Sequence, residues 1–313
     1  MVQVDLITGF LGAGKTTFLR RYVRYLTARG HHVCILENDF GAVNVDALLV
    51  ADLLGERCEL ETISGGCDCD THQRRMRTKL ISMAMRGFDR VVVEPSGIFE
   101  VDEFFDVLRD DPLDRWYRLG NVIAIVDAML PETLSPQAEY LLASEAACAG
   151  RVAFSRCQLA GPERTAKAAA HLQRALAACK CSRTLTPADC LQKDWAALTE
   201  TDLAALERCG CRQASCEKLC FDQHDAFGSA YFLELGLPRA QLERAIPGLF
   251  TDPACGRVLR VKGFVEDAGG WVELNATADG LTAAPLATGQ QVLIVIGEGL
   301  NKAAIEQKLR LAR

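Results

Sequence analysis

The stretch Gly9-Phe10-Leu11-Gly12-Ala13-Gly14-Lys15-Thr16 constrains the fold of this chain more than any other. It fits the pattern G-x-x-x-x-G-K-[ST], whose glycines let successive backbone N–H groups turn inward around phosphate oxygens. A strand-like run, VQVDLIT, precedes it. A helical pattern over residues 15–29 follows, with Phe18, Leu19, Tyr22, Val23 and Leu26 on one face. A strand that feeds a glycine loop and then a helix belongs in an α/β sheet, with phosphate held at the helix N-terminus. Lys15 supplies a point charge to the outer phosphates and Thr16 a hydroxyl for Mg2+. Gly9, Gly12, Ala13, Gly14 and Thr17 complete the expected nucleotide contacts of the loop.

The same unit repeats downstream. HVCILE, RVVVEP, VIAIVDA and RVAFS read as further strands, and most have the continuous aliphatic core of strands buried on both faces. Helical patterns lie between them at residues 72–86, 100–109, 135–148 and 163–178. This alternation predicts an α/β fold: a mostly parallel sheet forming a P-loop NTPase domain over residues 1–220, of which 158–220 is cysteine-rich. From residue 221 the pattern changes. RVLRVKGFV, WVELNATA and QQVLIVIG are strands without long helices between them, and Gly269-Gly270 suits a hairpin turn. Residues 221–313 therefore read as a smaller C-terminal α+β domain.

A bound magnesium ion needs a carboxylate at the end of a neighbouring strand. Glu94 in VVVEPSG, and Glu37 with Asp39 in ILENDFG, are the candidates to complete magnesium or to orient water. A glutamate ending a buried strand is costly without a partner. Gly97 lets the chain bend beneath a terminal phosphate, although Pro95 and Gly97 would also serve an ordinary strand-to-helix turn.

Taken together, ITGFLGAGKTT, ENDFG, GGCDCD and EPSG resemble the motifs of the CobW-type GTPases, a group related to the urease and hydrogenase nickel-insertion GTPases. GRVLRVKGFV, GGWVELNA and VLIVIGEGL resemble that family's C-terminal domain. The resemblance implies GTP hydrolysis with Mg2+ and Zn2+ or another transition metal. Two departures stand out. Where the family reads guanine with Asn/Ser-Lys-x-Asp, this chain has Ser155-Arg156-Cys157-Gln158. The Arg156 stem can still lie along a base, but an amide has one acceptor oxygen where a carboxylate has two, and the difference is about 1–3 kcal/mol of guanine preference. ATP is left open beside GTP. In the family's Cys-x-Cys-Cys metal segment the last cysteine is replaced here by Asp70. Cys67 and Cys69, two apart in an extended segment, would point at one ion with help from Asp70, Glu37 or Asp39, leaving an exchangeable position.

The chain holds 14 cysteines, and in a reducing compartment close-spaced cysteines point first to metal or redox chemistry. Cys34 and Cys148 sit in apolar runs and read as buried hydrophobes. Cys209, Cys211, Cys216 and Cys220 stand among polar neighbours and form a second candidate cluster, for zinc or an Fe–S cluster, against surface thiols or a redox pair. Cys179 and Cys181 make another Cys-x-Cys pair, with Cys190 a candidate companion.

A net charge of −6 argues against nucleic acid as a partner, and no apolar run is long enough to span a bilayer. With no signal peptide visible, the expected location is the cytoplasm. The expectation is a two-domain GTPase whose nucleotide cycle loads or inserts a metal, or a metal-containing cofactor, into a client metalloprotein, with a homodimer left open. The alternatives are a nucleotide-dependent chaperone of a corrinoid or other metalloenzyme without free-metal cargo, and a small-molecule kinase.

Overall fold

The computed structural model describes residues 1–39, 49–64, 69–97, 101–219, 226–233, 235–286 and 288–311, with backbone alone at positions 38, 39, 64, 69, 70 and 72. The chain divides into two compact units, Met1–Leu219 and Cys220–Arg313.

The first unit is a seven-stranded sheet in the order β3-β2-β4-β1-β5-β6-β7, parallel throughout. Its strands are β1 (Val2–Thr8), β2 (Val33–Asp39), β3 (Cys58–Ser64), β4 (Arg90–Glu94), β5 (Tyr117–Asp127), β6 (Arg151–Ser155) and the short β7 (Cys190–Leu191). Helices α1 (Lys15–Ala28), α2 (Cys69–Ala84), α3 (Val101–Arg109), α4 (Pro136–Ala147), α5 (Cys157–Ala178) and α6 (Glu200–Leu206) cover it. Strand residues alternate between two cores because successive side chains point to opposite faces. Val4, Leu6, Val91, Val93, Val122 and Ala124 pack with α2 to α5. Ile7, Val92, Ile123 and Ile125 pack with Phe18, Leu19 and Tyr22 of α1 and with Leu203 and Leu206 of α6. Cys34 is wholly buried and Cys148 nearly so, as small hydrophobes.

A polar network centred on Asp5 sits inside this apolar frame. Asp5, in the middle of β1, is fully buried. Its carboxylate accepts from Tyr22 Oη at 2.9 Å, Arg90 Nη1 at 2.8 Å and the Asn121 backbone N–H at 2.8 Å. The last bond exists because β5 shifts register against β1 between Val4 and Leu6. A Cβ on the neighbouring Gly120 would stand 2.2 Å from Asp5 Oδ1, so only glycine fits there. Arg90 also reaches Glu207 Oε1 at 2.8 Å, and Asn121 holds Gly210 N–H at 2.9 Å. The network thereby ties the chain beyond α6 back to the centre of the sheet.

The second unit is a five-stranded antiparallel sheet, β11-β10-β9-β12-β8. It is formed by β8 (Gly228–Leu233), β9 (Arg257–Asp267), β10 (Gly270–Thr277), β11 (Gly280–Leu286) and β12 (Val292–Glu298), with α7 (Arg239–Leu249) and α8 (Lys302–Leu311) packed on one core. Gly270 turns the β9–β10 hairpin at φ 115°. Pro285 lies in β11, at the sheet's edge, where a missing N–H is tolerated. Among the described residues no helix is long and apolar enough to cross a membrane.

Candidate functional site

The site forms at the carboxyl ends of β1, β4 and β2, where an open parallel sheet places ligands. The loop between β1 and α1 is held open by glycine: Gly9, Gly12 and Gly14 have φ of 144°, 78° and 100°, values that side chains disfavour. Gly9 presses on β5, since a Cβ there would stand 2.2 Å from the Ile125 carbonyl oxygen. Gly14 is the N-cap of α1 and has no side chain to cap the first N–H groups, which leaves them for an anion. Lys15 is buried, and its Nζ donates to the Gly9 carbonyl at 2.7 Å. Thr17 is exposed at the top of the helix.

Thr16 Oγ1 donates to Glu94 Oε1 at 2.8 Å, joining the loop to the end of β4. In the β2–β4 ladder Glu37 stands opposite Glu94, and both carboxylates are buried, at 2% and 7% exposure. A hydroxyl and two carboxylates are hard oxygen donors of the kind Mg2+ takes, so the residues present fit that ion. Gly97 closes the site from the β4 side. A Cβ at position 97 would lie 2.5 Å from Leu11 N and 2.9 Å from Lys15 Nζ. Gly97→Ala is therefore expected to push the loop out of shape and weaken GTP binding at least about tenfold, a cost of about 1–3 kcal/mol for the overpacked contact. Isothermal titration checks it, and unchanged affinity would contradict the tight fit.

On the other side, Arg156 caps α5 in the left-handed conformation, φ 56°. Its Nη2 donates to the Gly12 carbonyl at 2.6 Å and its Nη1 pairs with Asp127 Oδ2 at 2.9 Å. Ser155 is buried beside it and Gln158 is exposed in the first turn of α5. Two residues that pattern reading passed over belong to this frame. Asp127 ends a buried strand one position over from the loop, and that placement was the available signal. Trp195 is 9% exposed and packs edge-on against Phe18 at 5.4 Å, with its ring 3.4 Å from where a Gly14 Cβ would be.

The thiols sort differently from their sequence spacing. Cys67 and Cys220 lie outside the described residues, as do the side chains of Asp39, Cys69 and Asp70. Cys69 and Asp70 open α2, so the extended segment expected through Cys69 is corrected to a helix start. Cys209, Cys211 and Cys216 do not form one group, which corrects the second cluster. Cys209 packs on the α1 side of the sheet, where burial pushes its thiol up to about 12. Cys216 packs on the opposite side, and Cys211 is exposed. The reason is that Gly210, at φ 65°, and the backbone bonds around it carry the chain from one sheet face to the other. Among the described residues no group of three or more His, Cys, Asp or Glu side chains is placed to hold a metal ion.

Comparison with known proteins agrees with this geometry. Residues 3–182 match the model of the CobW/HypB/UreG nucleotide-binding domain, and residues 234–313 match the cobalamin synthesis protein cobW C-terminal domain. The chain is 31% identical over 170 residues to the zinc chaperone YjiA of Escherichia coli, covering 51% of each. It is 32% identical over 133 residues to the zinc-regulated GTPase metalloprotein activator 1 of Schizosaccharomyces pombe, covering 40% of this chain and 32% of that one. It is 32% identical over 133 residues to the zinc chaperone CobW of a Sinorhizobium species, covering 41% and 37%. The chain thus spans about half, or less, of the length of the curated relatives it matches. A crystal structure of Zn(II)-bound YjiA GTPase aligns over 100% of this chain and 99% of its own at 22% identity, with a TM-score of 0.36.

Proposed function

The chain belongs to the CobW/HypB/UreG family, and from that membership we propose that it is a GTPase that couples its nucleotide state to loading a transition metal, zinc in the first instance, into a client metalloprotein. The observation that carries the reading is the pairing of Glu37 and Glu94 across β2 and β4, with Thr16 bonded to the latter. Two strands, β2 and β4, separate β3, which precedes Cys67–Asp70 in the sequence, from β1, which leads into the phosphate loop. At about 4.8 Å per strand the end of β3 lies roughly 14 Å from the end of β1, with the two strands that carry the carboxylates in between. A change at the terminal phosphate has only this short polar bridge to cross.

Each residue has a role in the cycle. Lys15 neutralises the outer phosphates, and Thr16 with Glu94 and Glu37 would hold Mg2+, which supplies charge stabilisation to the transferred phosphoryl group. Gly9, Gly12, Ala13, Gly14 and Thr17 line the phosphate path, while Ser155, Arg156 and Gln158 face the base. Phosphoryl transfer is mostly positioning and electrostatics, so no strong general base is required. Cys67, Cys69 and Asp70 form the cargo site. Cys69 is the first residue of α2, and it is the thiolate form of cysteine that binds metal.

The test is linkage. Zinc, cobalt and nickel are titrated into the GDP- and GTP-bound protein, with ATP as the comparison nucleotide. Metal affinity is expected to differ about 5–150-fold between the two guanine states, and Cys67→Ser with Cys69→Ser to lower it more than about a hundredfold. Equal affinity in both states, or an untouched double variant, would remove the metal-delivery reading and leave a nucleotide hydrolase.

A further inference from the structure

Cys179 and Cys181 lie just beyond the end of α5, on either side of Lys180. Their N–H groups still donate to the Ala175 and Leu176 carbonyls at 3.0 Å each, while Lys180 between them turns to φ 53°. The chain after α6 runs back past this helix end and is strapped down as it goes. Arg212 N–H donates to the Cys148 carbonyl at 2.9 Å, the Cys148 thiol donates to the Ala214 carbonyl at 2.8 Å, and Glu217 N–H donates to the Cys179 carbonyl at 2.8 Å. The Glu217 carboxylate also pairs with Lys180 at 2.5 Å. These bonds set the Cys216 thiol beside those of Cys179 and Cys181, close enough for the three to influence one another. All three pack against the core on the α2–α5 face of the sheet.

A backbone bond from residue 217 to residue 179 sets neighbouring chains at about the 4–7 Å Cα separation that a disulfide spans. The placement of these sulfurs, with Cys216 beside each of the other two and no metal-type grouping among the described residues, favours a pairwise bond over a common ion. We propose that Cys216 and the Cys179/Cys181 pair form a reversible disulfide that staples the end of the first unit to the end of α5. Closing it removes one proton and one electron from each of two thiols. A small-molecule disulfide takes them up and leaves as two free thiols. The remaining third thiol can attack the bond and move it to its neighbour, so the staple can be exchanged or reopened. Burial and the neighbouring sulfurs push the Cys216 thiol up, which denies the reduced form the thiolate stabilisation that would make the bond easy to reduce. The second unit begins at Cys220, so the bond fixes the place from which the chain leaves the first.

The full chain is equilibrated with oxidised glutathione, alkylated, digested with trypsin without reduction and mapped by mass. Lys180, Arg183, Arg174, Arg212 and Lys218 place the three cysteines on three different peptides, 175–180, 181–183 and 213–218. The expected product is peptide 213–218 joined to 175–180 or 181–183, two hydrogens lighter than the sum. It should come apart in dithiothreitol and vanish in Cys216→Ser. Recovery of Cys216 in the wild-type chain only as the alkylated form, as a glutathione adduct, or joined to Cys148 or Cys211 would overturn the proposal.

Discussion

Replacing Lys15 by alanine is expected to lower the rate of GTP hydrolysis by about 10²–10³-fold, equivalent to about 2.7–4 kcal/mol of transition-state stabilisation. The ammonium is held within the loop, 2.7 Å from the Gly9 carbonyl and beneath Gly97, where water is scarce and a charge acts strongly. Arginine is not expected to rescue the activity. Its planar fork is larger than the ammonium, and the turn at Gly97 leaves it no room. Single-turnover phosphate release, with far-ultraviolet circular dichroism to show that the fold persists, measures the effect. A variant that hydrolyses GTP at the parent rate would mean that the loop is not the catalytic centre.

Arg90→Met should cost about 3–5 kcal/mol of stability, among the largest effects available to one substitution outside the site. Removing the guanidinium leaves Asp5 charged, fully buried and without its cation, and leaves Glu207 without its partner at 2.8 Å. For a unit of this size the loss corresponds to a fall in Tm of roughly 6–20 °C. The double variant Asp5→Asn with Arg90→Met should be less destabilised than the sum of its parts, because it removes the stranded charge. Urea unfolding of the single and double variants reads both numbers. Strict additivity would show that the two groups act independently.

How much of this was legible follows from where each element lies. The phosphate loop and the buried strands announce themselves, because strands covered on both faces must be almost wholly aliphatic. β3 was missed: it lies at the sheet's edge, and its Glu59 and Glu61 pair with Arg86 and Lys79, which masks the apolar alternation. β11 was missed for a related reason, being exposed along most of its length and interrupted by Pro285. The start of α5 was placed late because Gly161, non-helical at φ 69°, and Pro162 break the periodicity of a helix that begins at Cys157. In the site, Thr16 and Glu94 could be named singly, but their 2.8 Å bond depends on β4 lying next to β1, which no local pattern encodes. The cysteines show the limit most clearly. Spacing grouped Cys216 with Cys209 and Cys211, whereas backbone bonds made by Arg212 and Glu217 bring it to thiols more than thirty positions earlier.

Pro285 has a consequence for how the C-terminal unit can meet other molecules. A sheet border normally offers an incoming strand an unbroken row of donors and acceptors, and so invites templated growth. Here the outermost strand is seven residues long and lacks one of those donors near its end, so a visiting strand could lay down only a short, interrupted ladder. This border is blunted against runaway stacking by its covalent chemistry, whatever the solvent or the company it keeps.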